Sequence, residues 1–177
     1  FMHKRIREYP ITGGPSTLAE SVYDEELKKQ GVLDNTLVIF TSDNGGAWYV
    51  GLPNLNRPFR GWKATFFEGG TRVPFFMQLP GVIAPGSQFT APVSHFDIFA
   101  TSAALAGVQP PADRVIDGVN LIPFARGEQD GRPHEQMFWR SGAYQVARSG
   151  DWKLQVNETQ DKVWLFNLQD DPTEQHN

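Results

Sequence analysis

Two residues that can bind a metal ion, Asp43 and Asn44, end the segment FTSDN and are followed by two glycines. Carboxylate and amide oxygens are hard ligands of the kind that calcium and magnesium prefer. The preceding run TLVIFT (residues 36–41) is typical of a buried strand, and ligands of open α/β sheets bind beyond the carboxyl ends of strands. Calcium takes about six to eight oxygens, however, and Asp-Asn-Gly-Gly is also ordinary turn chemistry. The residues alone favour a turn and leave a metal site as the alternative.

Lys63 is the second group that could take part in chemistry, and it lies in the glycine-rich segment GWKATFFEGGTRVP (residues 61–74). A lysine among glycines can place a point charge on an anionic oxygen. The segment does not contain the GxxxxGK[ST] pattern of a phosphate-binding loop. By itself Lys63 is more typical of a solvated surface residue, with anion binding as the alternative.

The sequence offers few nucleophiles. It has no cysteine, which excludes a disulfide framework and a thiolate zinc site. The four histidines, His3, His95, His134 and His176, form no H-x-x-x-H pair, and no G-x-S-x-G motif is present. We therefore reject a Ser-His-Asp hydrolase.

Composition limits the class of protein and its partners. The chain has 177 residues, 40% of them hydrophobic, and a formal net charge of −4, which are ordinary values for a globular protein. No basic block suggests nucleic-acid binding, and no apolar run is long enough to span a membrane. The first ten residues, FMHKRIREYP, lack the apolar core of a signal peptide. We expect a soluble protein of unknown compartment.

The apolar periodicity predicts an α/β region followed by a small antiparallel sheet. A capping box at Thr17 and Glu20 opens a helix that Gly31 ends, and Ser94 with Asp97 opens another that runs to about residue 106. A helix followed by a buried strand favours a sheet that is at least partly parallel. The other predicted elements are strands at 36–41 and 73–81, a short helix from Asn120 to Gly127, and tail strands at 136–140, 143–149, 152–156 and 162–168, with a hairpin at Ser149-Gly150-Asp151.

Five segments, taken together and in this order, resemble the C-terminal portion of a sulfatase. These enzymes are calcium-dependent sulfuric ester hydrolases of the alkaline-phosphatase superfamily. The resemblance implies a partial alkaline-phosphatase-like sheet with helices (residues 18–130) and a C-terminal antiparallel subdomain (131–177), preceded by an unmatched arm (1–17). The segments are GVLDNTLVIFTSDNGG, FRGWKATFFEGGTRVPFFMQLPG, VSHFDIFATSAALAG, DGVNLIPFARG and WKLQV followed by VWLFNLQDDPTEQHN.

The resemblance also implies roles for individual residues. Asp43 and Asn44 correspond to two calcium ligands, and Lys63 to the lysine that contacts the sulfate and stabilises charge on the leaving oxygen. Other motif residues are expected to shape the structure: Glu68, Gly69, Gly70 and Arg72 the loop, and Asp97 the start of its helix.

One departure from the family pattern decides what activity we expect. Sulfatases use a formylglycine made from Cys or Ser in a C/S-x-P/A-x-R motif, and no residue of this sequence begins that pattern. The family's early acidic calcium ligands and histidine-bearing loops also precede the matched region. We therefore expect no activity from this chain alone, and a sulfate ester as substrate only if a complementary N-terminal chain supplies the missing half. The alternative is a non-catalytic protein that self-associates as a homo-oligomer, or one that binds only a metal or an anion.

Overall fold

The computed structural model describes residues 11–12, 18–52 and 54–177, and gives only the backbone for residues 11–12 and 18–22. The capping box predicted at Thr17, and most of the predicted arm, lie outside the described residues. The helices of the described part are all too short or too polar to cross a bilayer.

In chain order the helices and strands are β1 (Ile11–Thr12), α1 (Leu18–Lys29), β2 (Val38–Thr41), α2 (Glu68–Thr71), β3 (Phe75–Gln78), β4 (Gln88–Phe89), α3 (Phe96–Leu105), α4 (Ile122–Ala125), β5 (Gln136–Ser141), β6 (Tyr144–Ser149), β7 (Trp152–Asn157) and β8 (Lys162–Asn167).

The chain forms two compact units that alternate along the sequence. The first unit contains residues 18–41 and 74–134, together with β1, and the second contains residues 42–73 and 135–177. The glycine-rich segment that holds the candidate site residues therefore belongs to the same unit as the C-terminal sheet.

The first unit is built on the pair β2 and β3, which is antiparallel and runs from Val38 opposite Gln78 to Thr41 opposite Phe75. The prediction of an at least partly parallel sheet is wrong for this pair, and every other strand pair in the described residues is also antiparallel. A parallel pair needs a long crossover connection, usually a helix. Among the described residues of 42–73 the only α-helix is the single turn α2, and this segment forms part of the second unit instead.

The main cluster of buried apolar side chains in the first unit packs on one face of this strand pair, while Phe76 is buried on the other face beside Phe40. The buried members of that cluster come from β3, from the turn after β3, and from α4 with the residue before it: Phe75, Met77, Leu79, Ile83, Leu121, Ile122 and Ala125. Strand β2 is only half-buried, and Phe40 is exposed. The prediction that residues 36–41 are covered on both faces is therefore wrong.

The predicted ends of the two longer helices are confirmed. Gly31 stops α1 with a left-handed φ of +67° and donates its amide hydrogen to the carbonyl of Lys28 at 3.0 Å. At the start of α3 the backbone amide of Ser94 donates to Asp97 Oδ2 at 2.7 Å, which is half of the predicted capping box. Gly107 ends that helix, also with a φ of +67°.

The second unit contains a four-stranded antiparallel sheet in the order β5-β6-β7-β8, as predicted. Ser149 pairs with Trp152 across the two-residue turn Gly150–Asp151, so the predicted hairpin is confirmed. Burial alternates along the strands and defines an inner face. The most buried members of the inner face are Met137, Val146, Lys153, Gln155 and Phe166.

The glycine-rich segment packs on the inner face of this sheet. The ring of Phe67 lies 5.3 Å from that of Trp164 and 6.2 Å from that of Phe166, and the Arg60 guanidinium lies 4.0 Å above the Phe67 ring. These contacts fix the residues on either side of Lys63 to the sheet.

Candidate functional site

The turn that carries Asp43 and Asn44 is held by its own short-range hydrogen bonds. The Asn44 amide hydrogen is donated to Asp43 Oδ1 at 3.0 Å, and the Ser42 hydroxyl donates to the Asn44 carbonyl at 2.9 Å. The Asn44 side-chain nitrogen donates to the Gly45 carbonyl at 3.0 Å, so the Oδ1 of Asn44 faces away from this hydrogen bond. Asp43 is exposed and Asn44 half-buried. The turn thus presents a carboxylate and an amide oxygen together.

Close backbone contacts between glycines attach this turn to α2. The Gly45 amide donates to the Gly70 carbonyl at 2.9 Å, and a Cβ on Gly45 would lie 1.7 Å from the carbonyl oxygen of Gly69. Gly69 in turn donates to the Arg60 carbonyl at 2.6 Å, and a Cβ on Gly69 would lie 2.5 Å from that same oxygen. Only glycine permits this approach at either position, so the double-glycine motifs are required by packing.

Asn56 joins the turn to the segment that contains Lys63. Its Oδ1 accepts from the Gly46 amide at 2.7 Å, and its Nδ2 donates to the carbonyls of Gly46 at 2.8 Å and Gly61 at 3.1 Å. The Gly46 carbonyl also accepts the backbone amide of Lys63 at 3.3 Å. The Lys63 side chain is exposed and, within the described ranges, forms no ion pair. The structure therefore places all three predicted residues on one hydrogen-bonded backbone frame.

A buried ionic cluster supports this frame from the inner face of the sheet. Lys153 Nζ lies 2.8 Å from Glu68 Oε1 and 3.0 Å from Glu174 Oε1. Gln155 Nε2 donates to Glu174 Oε1 at 2.8 Å, and the backbone amide of Glu68 donates to Glu174 Oε2. Since Glu68 is the first residue of α2, the cluster fixes the helical turn on which Gly45 rests.

Charge and burial compete within this cluster. Burial raises the pKa of Glu174 above the ordinary value of 4.5, and the positive charge of Lys153 opposes that rise. Burial likewise raises the pKa of Tyr144, whose hydroxyl donates to Gln155 Oε1. Two buried carboxylates therefore depend on one lysine, since Arg72 lies 3.9 Å from Glu68 and is largely exposed.

The donor set of the turn is compatible with calcium but does not complete a site. Asp43 and Asn44 offer hard oxygens that are not used by neighbouring side chains in the described residues. Calcium takes about six to eight such ligands. The described part of the chain contains no group of three or more acidic, histidine or cysteine residues that could hold a metal ion.

His95 and His134 lie in the first unit. In the first unit, His95 Nε2 lies 3.4 Å from the hydroxyl of Thr41, the last residue of β2. His134 Nε2 lies 2.8 Å from Asp97 Oδ1, and Asp97 also accepts the Val119 amide at 2.9 Å. Asp97 therefore acts as a buried structural acid, as expected.

Sequence reasoning missed Asn56, Lys153 and Glu174. The isolated Asn56 carries no motif. The strand pattern of WKLQV (residues 152–156) does place Lys153 and Gln155 on one face, but nothing in it shows that the polar face is the buried one.

Comparison with known proteins gives matches that all point to one family. A model of the Sulfatase family matches residues 23–108. Steryl-sulfatase of Rattus norvegicus is 40% identical over 152 residues, which is 82% of this chain and 26% of that protein. N-acetylgalactosamine-6-sulfatase of Mus musculus is 41% identical over 134 residues, 73% of this chain and 25% of that protein. The crystal structure of a sulfatase from Pseudoalteromonas sp. matches with a TM-score of 0.69 and 30% identity, covering 88% of this chain and 35% of the other. The chain thus spans about a quarter of the length of these curated relatives.

Proposed function

Because this chain belongs to the sulfatase family, with its α/β fold and small C-terminal antiparallel sheet, we propose that its second unit supplies part of a calcium and sulfate-ester site. Asp43 and Asn44 bind the metal and Lys63 binds the sulfate. One observation carries the proposal: the Lys63 backbone is hydrogen-bonded to Gly46, directly after the turn that holds both candidate ligands. A metal ion and a cation placed on one hydrogen-bonded frame suit the binding of a sulfate monoester, whose single negative charge is shared by three oxygens.

The roles follow from charge. When bound, calcium offsets the negative charge of the sulfate group and of the attacking oxygen. The Lys63 ammonium is a mobile point charge on an exposed stem, so it can reach an ester oxygen and stabilise the charge that develops on the leaving alcohol. No contact with the metal or the sulfate is assigned to Asn56 or to the cluster of Glu68, Lys153 and Glu174. These residues act by holding the backbone that carries Asp43, Asn44 and Lys63.

The nucleophile is proposed to come from a complementary segment. No cysteine or serine among these 177 residues stands in the formylglycine motif. Turnover of a sulfate ester then requires this chain together with a segment that carries the motif and the remaining calcium ligands. We expect no hydrolysis of an aryl sulfate by the purified chain, with or without calcium, above that of Lys63→Ala. Clear turnover that Lys63→Ala abolishes would contradict this part of the proposal.

Binding can be tested without turnover. Calorimetry should show weak, roughly millimolar calcium binding that Asp43→Ala and Asn44→Ala abolish, because a site with two protein ligands binds weakly. In the presence of calcium, Lys63→Ala should weaken the binding of inorganic sulfate. Exposed residues of the first unit provide matched controls, Asp34→Ala and Lys28→Ala, which should bind like the wild type. Calcium binding that survives Asp43→Ala would count against the metal assignment.

A second candidate function, self-association without catalysis, is favoured by one surface. The outer face of the C-terminal sheet carries the cross-strand row Phe138–Ala147–Leu154–Leu165, and Phe138 is 70% exposed. An exposed apolar row that crosses all four strands is typical of an interface. A second copy of the chain is the occupant we propose, and an increase of mass with concentration is its signature.

A further inference from the structure

The turn that carries Asp43 and Asn44 contains a residue pair that is prone to deamidation. Asn44 is the only asparagine of the sequence that is followed by glycine, and the other asparagines with a following residue precede Thr, Leu, Arg or Glu. In an asparagine–glycine pair the backbone nitrogen of the glycine can attack the side-chain amide, because glycine has no Cβ to hinder the approach. The sequence therefore makes Asn44 the first candidate for this modification.

Deamidation at this pair needs only water and hydroxide. Hydroxide removes the hydrogen of the Gly45 backbone nitrogen, and that nitrogen attacks Asn44 Cγ. The new N–C bond closes a succinimide ring, while the Cγ–Nδ2 bond breaks and its nitrogen leaves as ammonia. Water then opens the ring at either of its carbonyl carbons and leaves aspartate or isoaspartate at position 44. No electron is transferred, so the step requires neither an oxidant nor a reductant.

The folded turn withholds the attacking nitrogen. The Gly45 amide is buried and donates its hydrogen to the Gly70 carbonyl at 2.9 Å. Removing that hydrogen would leave a negatively charged nitrogen facing a carbonyl oxygen in a buried place, which is unfavourable. The leaving nitrogen is also bound, since Asn44 Nδ2 donates to the Gly45 carbonyl at 3.0 Å. The hydrogen bonds of the closed turn therefore oppose the reaction.

Packing opposes the rotation that ring closure requires. The Gly45 nitrogen must turn from α2 toward Asn44 Cγ, but a Cβ on Gly45 would lie 1.7 Å from the Gly69 oxygen, so this backbone is packed directly on α2. The helical turn α2 is itself fixed to the sheet, because the Oε1 of its first residue, Glu68, lies 2.8 Å from the buried Lys153 Nζ. The Gly45 nitrogen becomes available only when the turn separates from α2.

From these contacts we infer that Asn44 is a deamidation site whose rate is set by local separation of its turn from α2. While the hydrogen bond between Gly45 and Gly70 is closed the Asn44 amide persists, and each opening exposes it to ring closure. The isoaspartate product adds a carbon to the main chain and a negative charge beside Asp43, so the turn does not regain its fit against α2. No metal or sulfate takes part in these steps, and the inference is therefore independent of the proposed function.

Incubation of the full chain in a mildly alkaline, calcium-free buffer tests the inference. Peptide mass mapping measures the deamidated fraction at Asn44, and chromatography separates the isoaspartate product. The folded wild type should deamidate at Asn44 about tenfold more slowly than the same chain unfolded in guanidinium, which corresponds to a local opening free energy of about 1.4 kcal/mol. Equal rates in the folded and unfolded chain, or faster deamidation of another asparagine in the unfolded chain, would overturn the inference.

Two alanine substitutions separate local opening from a general loss of stability. Gly69→Ala is the test variant, because its Cβ would lie 2.5 Å from the Arg60 carbonyl oxygen and displace α2. Gly118→Ala is the matched control, because its Cβ would lie 2.2 Å from the Phe96 carbonyl oxygen, a similar clash in the first unit. Gly69→Ala should deamidate at Asn44 nearly as fast as the unfolded chain, and Gly118→Ala should deamidate like the wild type. Equal acceleration by both substitutions, or none by Gly69→Ala, would contradict control by α2.

A measurement on the wild type alone keeps the inference testable if Gly69→Ala does not fold. Hydrogen exchange followed by NMR should show that the Gly45 amide is protected, with an opening free energy that matches the slowing of deamidation. A protected Gly45 amide beside an Asn44 that deamidates at the unfolded rate would overturn the inference. An unprotected Gly45 amide beside slow deamidation would overturn it as well.

Discussion

Gly45 shows at the scale of one residue why the turn that carries Asp43 and Asn44 needs a glycine. Its backbone lies so close to Gly69 that a methyl group would lie 1.7 Å from a carbonyl oxygen. We expect Gly45→Ala to destabilise the protein by about 1–3 kcal/mol, because the turn must move away from α2. The same movement should abolish calcium binding. Urea unfolding and calorimetry measure the two effects.

A second glycine provides the control for this substitution. Gly142 has a φ of +59° and open space around its Cα, so Gly142→Ala reports backbone strain without a steric clash. It should cost about 1 kcal/mol and leave calcium binding intact. Normal calcium binding by Gly45→Ala would show that the glycine contact does not position the ligands.

Asp97 gives a second prediction at the residue scale. It is fully buried in the first unit, and its two oxygens accept from the amides of Ser94 and Val119 and contact His134. Asp97→Asn replaces one acceptor by a donor that faces another N–H, so the free energy of unfolding should fall by about 1–3 kcal/mol. Asp113→Asn, at an exposed ion pair with Arg114, should change stability little, because solvent screens the pair. Equal effects of the two substitutions in urea unfolding would contradict this role.

At this scale the sequence was most informative where a motif exists. The residues alone favoured a plain turn at Asp43 and a surface role for Lys63, and only the order of the five matched segments pointed to a site. The structure adds the hydrogen bond that joins Lys63 to the turn. Asn56 could not be predicted, because its partners are backbone atoms that any sequence possesses.

Strand β7 shows how alternation can mislead at the scale of an element. The period of two places Trp152 and Leu154 on one face and Lys153 and Gln155 on the other, but it does not say which face is buried. Here the polar face is inside, and Lys153 is only 1% exposed. Its burial is explained by Glu68 and Glu174, which come from distant segments of the chain, so no local pattern could reveal it.

The ionic cluster that buries Lys153 predicts a large effect of its removal. Lys153→Met leaves two buried carboxylates without their shared cation, and we expect a loss of about 3–5 kcal/mol at neutral pH. Lys162→Met, at an exposed position of β8, should change the free energy of unfolding little. Urea unfolding of the two variants at the same pH makes the comparison.

The pH dependence of that loss has a definite sign. Burial raises the pKa of Glu174 above 4.5, so the folded protein binds this proton more tightly than the unfolded chain does. Stability therefore falls as pH rises from about 4.5 through the raised pKa. Lys153 opposes the rise, so Lys153→Met should be more destabilising at about pH 7 than at about pH 4. A loss that is equal at both pH values would show that lost packing, and not charge, explains the effect.

At the scale of the whole molecule, element types were more predictable than their partners. The helix ends at Gly31 and Gly107 and the four tail strands follow from local capping and turn chemistry, and all were predicted. The direction of the β2–β3 pair was not, because a buried strand pattern is compatible with either direction. No pattern within either strand indicates the direction of a partner that follows only after residues 42–73.

The outer face of the C-terminal sheet is the surface through which we propose that two copies of the chain associate. Its residues are Gln136, Phe138, Arg140, Gln145, Ala147, Ser149, Trp152, Leu154, Val156, Val163, Leu165 and Asn167, and Arg140 is the single charge among them. Two copies that pack their central rows together bury Phe138, Leu154 and Leu165 and leave Arg140 at the rim.

Light scattering of the wild type should therefore show a mass that rises with concentration. Leu165→Lys should keep the protein monomeric, because association would bury a lysine on each copy. Val115→Lys, at an exposed apolar residue of the first unit, should associate like the wild type. A wild-type mass that stays constant to high concentration, or an equal effect of both lysines, would exclude this face as a self-association surface.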